Sequence, residues 1–240
     1  MTGPIKQDPA YHAFADDRAF LGVANAADTL SSFALLAVGM SGLLFLWREW
    51  TSDGSKRFLA REEMLPYWAL FASVALTGLG SAYYHLAPND ARLVWDRLPM
   101  AAGFMCLLAA AIAERVSVRA AVQLLVPFIA LGMASVLYWP ASAVLGSEDL
   151  RPYYAVQFGS LAAVLYLCTM FPSSYTKGKA IPVAIGVYGI AKIFELNDNQ
   201  IYELGGWVSG HTLKHVTAAA AVYLLVWSLR HRAIALQRDD

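Results

Sequence analysis

Two histidines, His211 and His215, stand four residues apart at the head of the last apolar segment of the chain. On a helix such positions share a face one turn apart, and imidazoles placed so suit a single metal ion. His85 closes a much earlier apolar segment, with Ser81 four residues before it on the same helical face. Asp96 follows His85 by eleven residues, across a short turn containing Pro88 and Asn89. Three neutral imidazoles form a recurrent catalytic zinc set that leaves a fourth position for water. A carboxylate beside such a water can take its proton, and a serine hydroxyl can orient it or steady an oxyanion. Taken singly, each histidine could simply hydrogen-bond a neighbouring helix. The other two histidines, His12 and His231, fall in polar tails, where no special role is expected.

Long apolar elements must carry these groups. The 240 residues are 58% hydrophobic and only 15% charged, against about 25% charge in ordinary soluble domains. A polytopic membrane protein is therefore the expected class. Seven segments approach the roughly 20 apolar residues needed to cross a bilayer: Asp28–Trp47, Leu65–Leu86, Arg92–Ala113, Ala120–Tyr138, Tyr153–Phe171, Ala180–Leu196 and Gly210–Leu229. Their polar connections are short, and no second domain, repeat or low-complexity linker interrupts them. The expected fold is all-α, one seven-helix transmembrane bundle over residues 28–229, with an N-terminal segment 1–27 and a tail 230–240. Met1 to Leu21 is polar and acidic, so no cleavable signal peptide is expected there.

Basic residues predict the orientation. Arg48, Lys56, Arg57, Arg61, Arg115, Arg119, Lys177, Lys179, Arg230, Arg232 and Arg238 fall on one side, against Lys6, Arg18 and Arg151 on the other, with Arg92 at the boundary. This bias predicts an outside N-terminus and a cytoplasmic C-terminus, in a plasma (inner) membrane. On that topology His85, Asp96, His211 and His215 come from separate segments to the same, outer, leaflet. Ionisable groups inside a membrane are functional hypotheses by default. A salt bridge between Asp96 and Arg97 is the structural alternative for the acid, but adjacent helical residues do not face each other. Ser81 is also one of the small residues, with Gly78 and Gly80, that close helix packing requires.

Ser81-Ala82-Tyr83-Tyr84-His85, then Trp95-Asp96, then His211-Thr212-Leu213-Lys214-His215 resemble the scattered signature of the CREST membrane hydrolases. That superfamily includes the alkaline ceramidases and the adiponectin/progestin receptors. The resemblance spans the seven-helix plan and implies zinc held by His85, His211 and His215, with Asp96 and Ser81 attending the bound water. The alkaline ceramidase branch is the most similar, since Asp28-Thr29-Leu30-Ser31-Ser32 is similar to its Asn-Thr-x-Ser-Asn segment. The implied activity is hydrolysis of a lipid acyl-amide. Eukaryotic members bind calcium through an acidic, tryptophan-containing N-terminal motif that this chain does not reproduce, although Asp16, Asp17, Asn25 and Asp28 offer oxygen ligands.

A second polar group, Lys192, Glu195, Asn197, Asp198 and Glu203, ends the sixth segment. Lys192 and Glu195 are spaced to pair on one face. The expected role is to tie this segment to Lys214 or to the following loop, with lipid-headgroup recognition as the alternative. The formal net charge of zero excludes a counterion-releasing nucleic-acid binder. Cys106 and Cys168 lie within apolar runs and read as buried thiols. A receptor or sensor without turnover shares the zinc scaffold, but no sizeable soluble signalling domain accompanies it. A proton-coupled transporter would need a relay through the bilayer, and the inner half offers little beyond apolar residues and the cysteines. Stacking on one face leaves His211 and His215 unable to be opposed ligands of one haem.

Overall fold

A computed structural model describes residues 3–52 and 57–235; Lys56 and Arg238, counted above, lie outside them. The described chain is helical, with no named strand: α1 (Ala26–Thr51), α2 (Met64–Leu86), α3 (Asp90–Arg115), α4 (Val118–Val144), α5 (Arg151–Met170), α6 (Ala180–Leu196), α7 (Asp198–Gly205) and α8 (Gly210–His231). Six of these are long and apolar enough to cross a membrane. The sixth apolar segment ends differently from the simple span expected of it. At Asn197 the chain bends by 72° from α6 into the short α7, and only the bent pair together has the length and composition of a seventh span.

Local chemistry sets the boundaries near the site. Asn89 caps α3 by accepting the Arg92 amide at 3.0 Å, which makes the α2–α3 connection a tight turn. Ser209 caps α8 likewise through the Thr212 amide. α3 is the central post: it packs on α2, α4 and α5, while α8 packs on α1 and α6. Pro99, within α3, has no N–H for the carbonyl of Trp95 four residues earlier. That carbonyl lies against Gly80 of α2, where any Cβ would overlap it. The glycine thus lets α2 and α3 approach within backbone contact, which brings the Ser81 and Asp96 side chains to one space.

The bundle has two polar ends. At one, the N-terminal segment crosses the helix ends: the Ile5 amide donates to Asp149, the Gln7 amide to Glu148, Tyr11 to Glu195, and the Ala15 amide to Asp198. At the other, the chain following α8 pairs with the α5–α6 connection, through Thr176 to the carbonyl of Ala233, and Arg57 donates to the carbonyl of Arg230. A buried ionic cluster, formed by residues of the connections and a helix end, closes this second end. Arg232, 4% exposed, bridges Glu63 and Glu114 at 3.5 and 3.2 Å, while Tyr175 donates to Glu63 and Tyr67 to Glu114. Between the ends the outward surface is apolar, with Leu44, Val126, Leu131, Tyr166 and Val183 exposed, as lipid-facing helices require.

Candidate metal centre

His85, His211 and His215 are all buried, and one ring nitrogen from each falls within 4.8 Å of the others. Their ring centroids form a nearly equilateral triangle with sides of 4.8, 4.9 and 5.0 Å. Among the described residues this is the one group of three histidine, cysteine or acidic ligands close enough to share an ion. His85 makes the chemical case most directly. It is fully buried, and neither ring nitrogen has a hydrogen-bond partner. A neutral imidazole left so loses about 1–3 kcal/mol per unsatisfied group; a cation among the three rings would take up one lone pair. Three imidazole nitrogens suit zinc and other borderline divalent ions.

Ser31 Oγ lies 3.1 Å from the carbonyl of Asp28 and 2.9 Å from His215 Nδ1. With its one proton directed to that carbonyl it accepts from Nδ1–H, the tautomer that leaves the lone pair of Nε2 for a metal ion. Nε2 faces the site, 3.3 Å from Ser81 Oγ. Phe14, from the N-terminal segment, closes the other side, its ring centroid 4.6 Å from His85 and 4.7 Å from His211.

Ser81, Asp96 and His215 line one cavity of about 90 Å³, together with Tyr11, Arg97, Gln157, Lys192, Glu195 and Lys214. Asp96 is buried and lies within reach of the Ser81 hydroxyl. It forms no ion pair with Arg97, whose guanidinium sits over the rings of Tyr11, Trp139 and Tyr153. A deeper apolar cavity of about 130 Å³ shares Leu35, Thr77, Met100, Tyr188 and Ala218 with the polar one, and continues between Leu70, Phe104, Leu161 and Leu225. A polar chamber backed by an apolar one suits an amphiphile.

The second polar group divides its work. Glu195 pairs with Lys192 and with Lys214 at 3.2 Å, joining α6 to α8. Lys214 Nζ also lies 2.8 Å from His211 Nε2. Asp198 accepts the His211 amide at 2.7 Å, so the head of α8 carries an anionic cap. Of the four residues that offer oxygens to calcium, three take separate partners. Asp16 binds the guanidinium of Arg18, which holds its carboxyl below the ordinary range. Asn25, in the left-handed region at φ 42°, donates to the carbonyl of His85 at 2.8 Å. Asp28 accepts from Thr212 at 2.6 Å, and Asp17 is exposed.

Sequence reasoning missed Ser31 and Phe14, and it gave His12 no role. His12 bonds Asp90 at 3.0 Å and the Tyr84 hydroxyl at 2.8 Å, pinning the N-terminal segment beside His85. A histidine in a polar tail carries no signal of a partner 72 residues away. Ser31 lay inside the stretch that resembles the ceramidases, and its spacing from Asp28 was the available signal. No protein-family model matches the chain, and no curated protein does either.

Proposed function

We propose that this chain is a seven-span membrane metallohydrolase that cleaves the acyl-amide bond of a lipid, holding zinc at His85, His211 and His215. One observation carries the reading: three imidazoles, one with both nitrogens unsatisfied, are buried together, and one of them, His215, lines with Ser81 and Asp96 a polar cavity backed by an apolar one. The resemblance to the CREST hydrolases, closest in the ceramidase branch, supports the same reaction class.

When bound, zinc supplies Lewis acidity, polarising a carbonyl and acidifying water near neutral pH. The chain's own residues do the rest. Asp96 takes a proton from the attacking water and returns it to the departing amine. Ser81 donates its hydroxyl proton toward the oxygen on which charge develops. The apolar cavity takes the acyl chain and keeps bulk water from the carbonyl. Phe14 and the N-terminal segment cover the aqueous side. The basic bias of the connections supports an outside N-terminus, with the site toward the outer leaflet of a plasma (inner) membrane. No calcium ion enters this account.

The test is to incubate the purified protein with a mixed lipid extract and resolve the products. Fatty acid should be released from an acyl-amide, with the rate falling about 10²–10⁴-fold in Asp96→Ala. Absence of product from every lipid would sink the hydrolase and favour a sensor on the same scaffold.

A further inference from the structure

The buried guanidinium groups are satisfied unequally, and Arg97 least of all: Arg115 leaves its Nε without a partner, but its two terminal nitrogens are hydrogen-bonded. Arg232 has two carboxylates, and Arg115 donates to the carbonyls of Phe171 and Gly178. Arg97 is 4% exposed, and among the described residues no carboxylate lies in ion-pair contact with it. Its Nη1 is buried without a hydrogen-bond partner. What holds it is an aromatic cage, with the guanidinium carbon 5.3, 5.0 and 5.1 Å from the ring centroids of Tyr11, Trp139 and Tyr153. Cation–π contacts attract the charge but offer no acceptor to five N–H groups. The cage fixes the side chain rigidly without satisfying it.

Arg97 lines the same cavity as Ser81 and Asp96. Glu195, on that wall, is already shared by Lys192 and Lys214. The wall therefore carries three cations against two carboxylates, with a metal charge still to be added. An electropositive chamber beside a scissile carbonyl calls for an anion on the ligand. Its volume of about 90 Å³ has room for several waters' worth of polar atoms, not for a second hydrocarbon chain.

We propose that the amine half of the substrate is small and carries a carboxylate that pairs with Arg97, so that the lipid is an N-acyl amino acid. This rests on the hydrolase reading above. A planar guanidinium matches a carboxylate in a two-pronged hydrogen bond. The acyl chain occupies the apolar cavity, and the carbonyl lies between Ser81 and Asp96. Water adds its oxygen to the carbonyl carbon, the C–N bond breaks, and the proton passes to the amine. A fatty acid and a free amino acid leave, with no oxidant or reductant consumed.

Two probes of equal chain length separate the possibilities: N-lauroylglycine and its neutral counterpart N-lauroylethanolamine, each below micelle-forming concentration. Hydrolysis and thermal stabilisation of the purified full chain are both measured. The wild type should prefer N-lauroylglycine at least tenfold in kcat/KM, and Arg97→Gln should bring that ratio near one. N-lauroylglycine should also stabilise the wild type more than the neutral amide does, a difference lost in Arg97→Gln. Arg97→Lys, which keeps the charge but not the fork, should fall between them and supplies the comparison if the glutamine variant does not fold. Equal turnover of both probes, or an unchanged ratio in the variants, overturns the proposal while leaving the hydrolase intact. Arg97-dependent binding without hydrolysis of any lipid leaves the anion site standing and overturns the hydrolase.

Discussion

Ser31 Oγ lies 2.9 Å from His215 Nδ1, where, with its proton on the Asp28 carbonyl, it holds the tautomer that leaves Nε2 free. Outer hydrogen-bond partners of this kind typically tune metal affinity 10–100-fold. Ser31→Ala should weaken zinc binding by about that factor, measured by competition with a chelator, while far-ultraviolet circular dichroism stays unchanged. An affinity equal to the wild type's would remove Ser31 from the account. The three histidines, Asp96 and Ser81 were legible from the sequence because ionisable and small polar residues stand out in apolar segments. Ser31 was not, since nothing in a Ser31-Ser32 pair says which hydroxyl meets a helix 184 residues later. Asn25 and Asp28 show the limit of residue type as a guide. Both carry oxygens suited to calcium, yet one holds the His85 carbonyl and the other the Thr212 hydroxyl.

Among the elements, the α2–α3 contact positions the proposed proton carrier. A side chain at Gly80 would overlap the Trp95 backbone, one residue before Asp96. Gly80→Leu should destabilise the protein by about 1–3 kcal/mol and lower hydrolysis more than it lowers zinc content, a split readable by assay and metal analysis together. The N-terminal segment is fixed by different chemistry. Asp149 accepts the Ile5 amide at 3.2 Å, and its pairing with Arg151 lowers its carboxyl to about 2 from an ordinary 3.8. A depressed acid stabilises the fold fully above its unfolded value and loses that contribution as pH falls through the folded one. Protection of the Ile5 amide in pulsed hydrogen exchange should thus persist at pH 4 and fall away near pH 2. Loss already at pH 5 would contradict the pairing. Apolar length revealed the six span-length helices, but not α7, which is eight residues long and has no apolar run. The path of the N-terminal segment was also hidden, because each of its ties is to a residue far along the chain.

Across the whole molecule, two buried polar centres sit at opposite ends of an apolar bundle. The metal centre is the proposed catalyst, whereas the Arg232 cluster is closed on itself and joins the chain after α8 to the turn before α2 and to the end of α3. Removing one partner of such a buried cluster typically costs about 3–5 kcal/mol, whereas replacing all of it costs much less. Arg232→Met should therefore lower thermal stability in detergent sharply, and adding Glu63→Gln and Glu114→Gln should recover part of the loss. No recovery would mean that the cluster is not acting as one unit. The sequence concealed it because Glu63 and Glu114 stand at segment ends, where charge is ordinary, and only the return of Arg232 between them shows that they are buried. Everything proposed for the other end depends on a metal ion among three histidines. Metal analysis of the purified protein tests this most directly. The account predicts about one zinc per chain in the wild type and loss of that zinc in His215→Ala. A His215→Ala protein that keeps its metal, or a folded wild type that binds none when zinc is supplied, would contradict it.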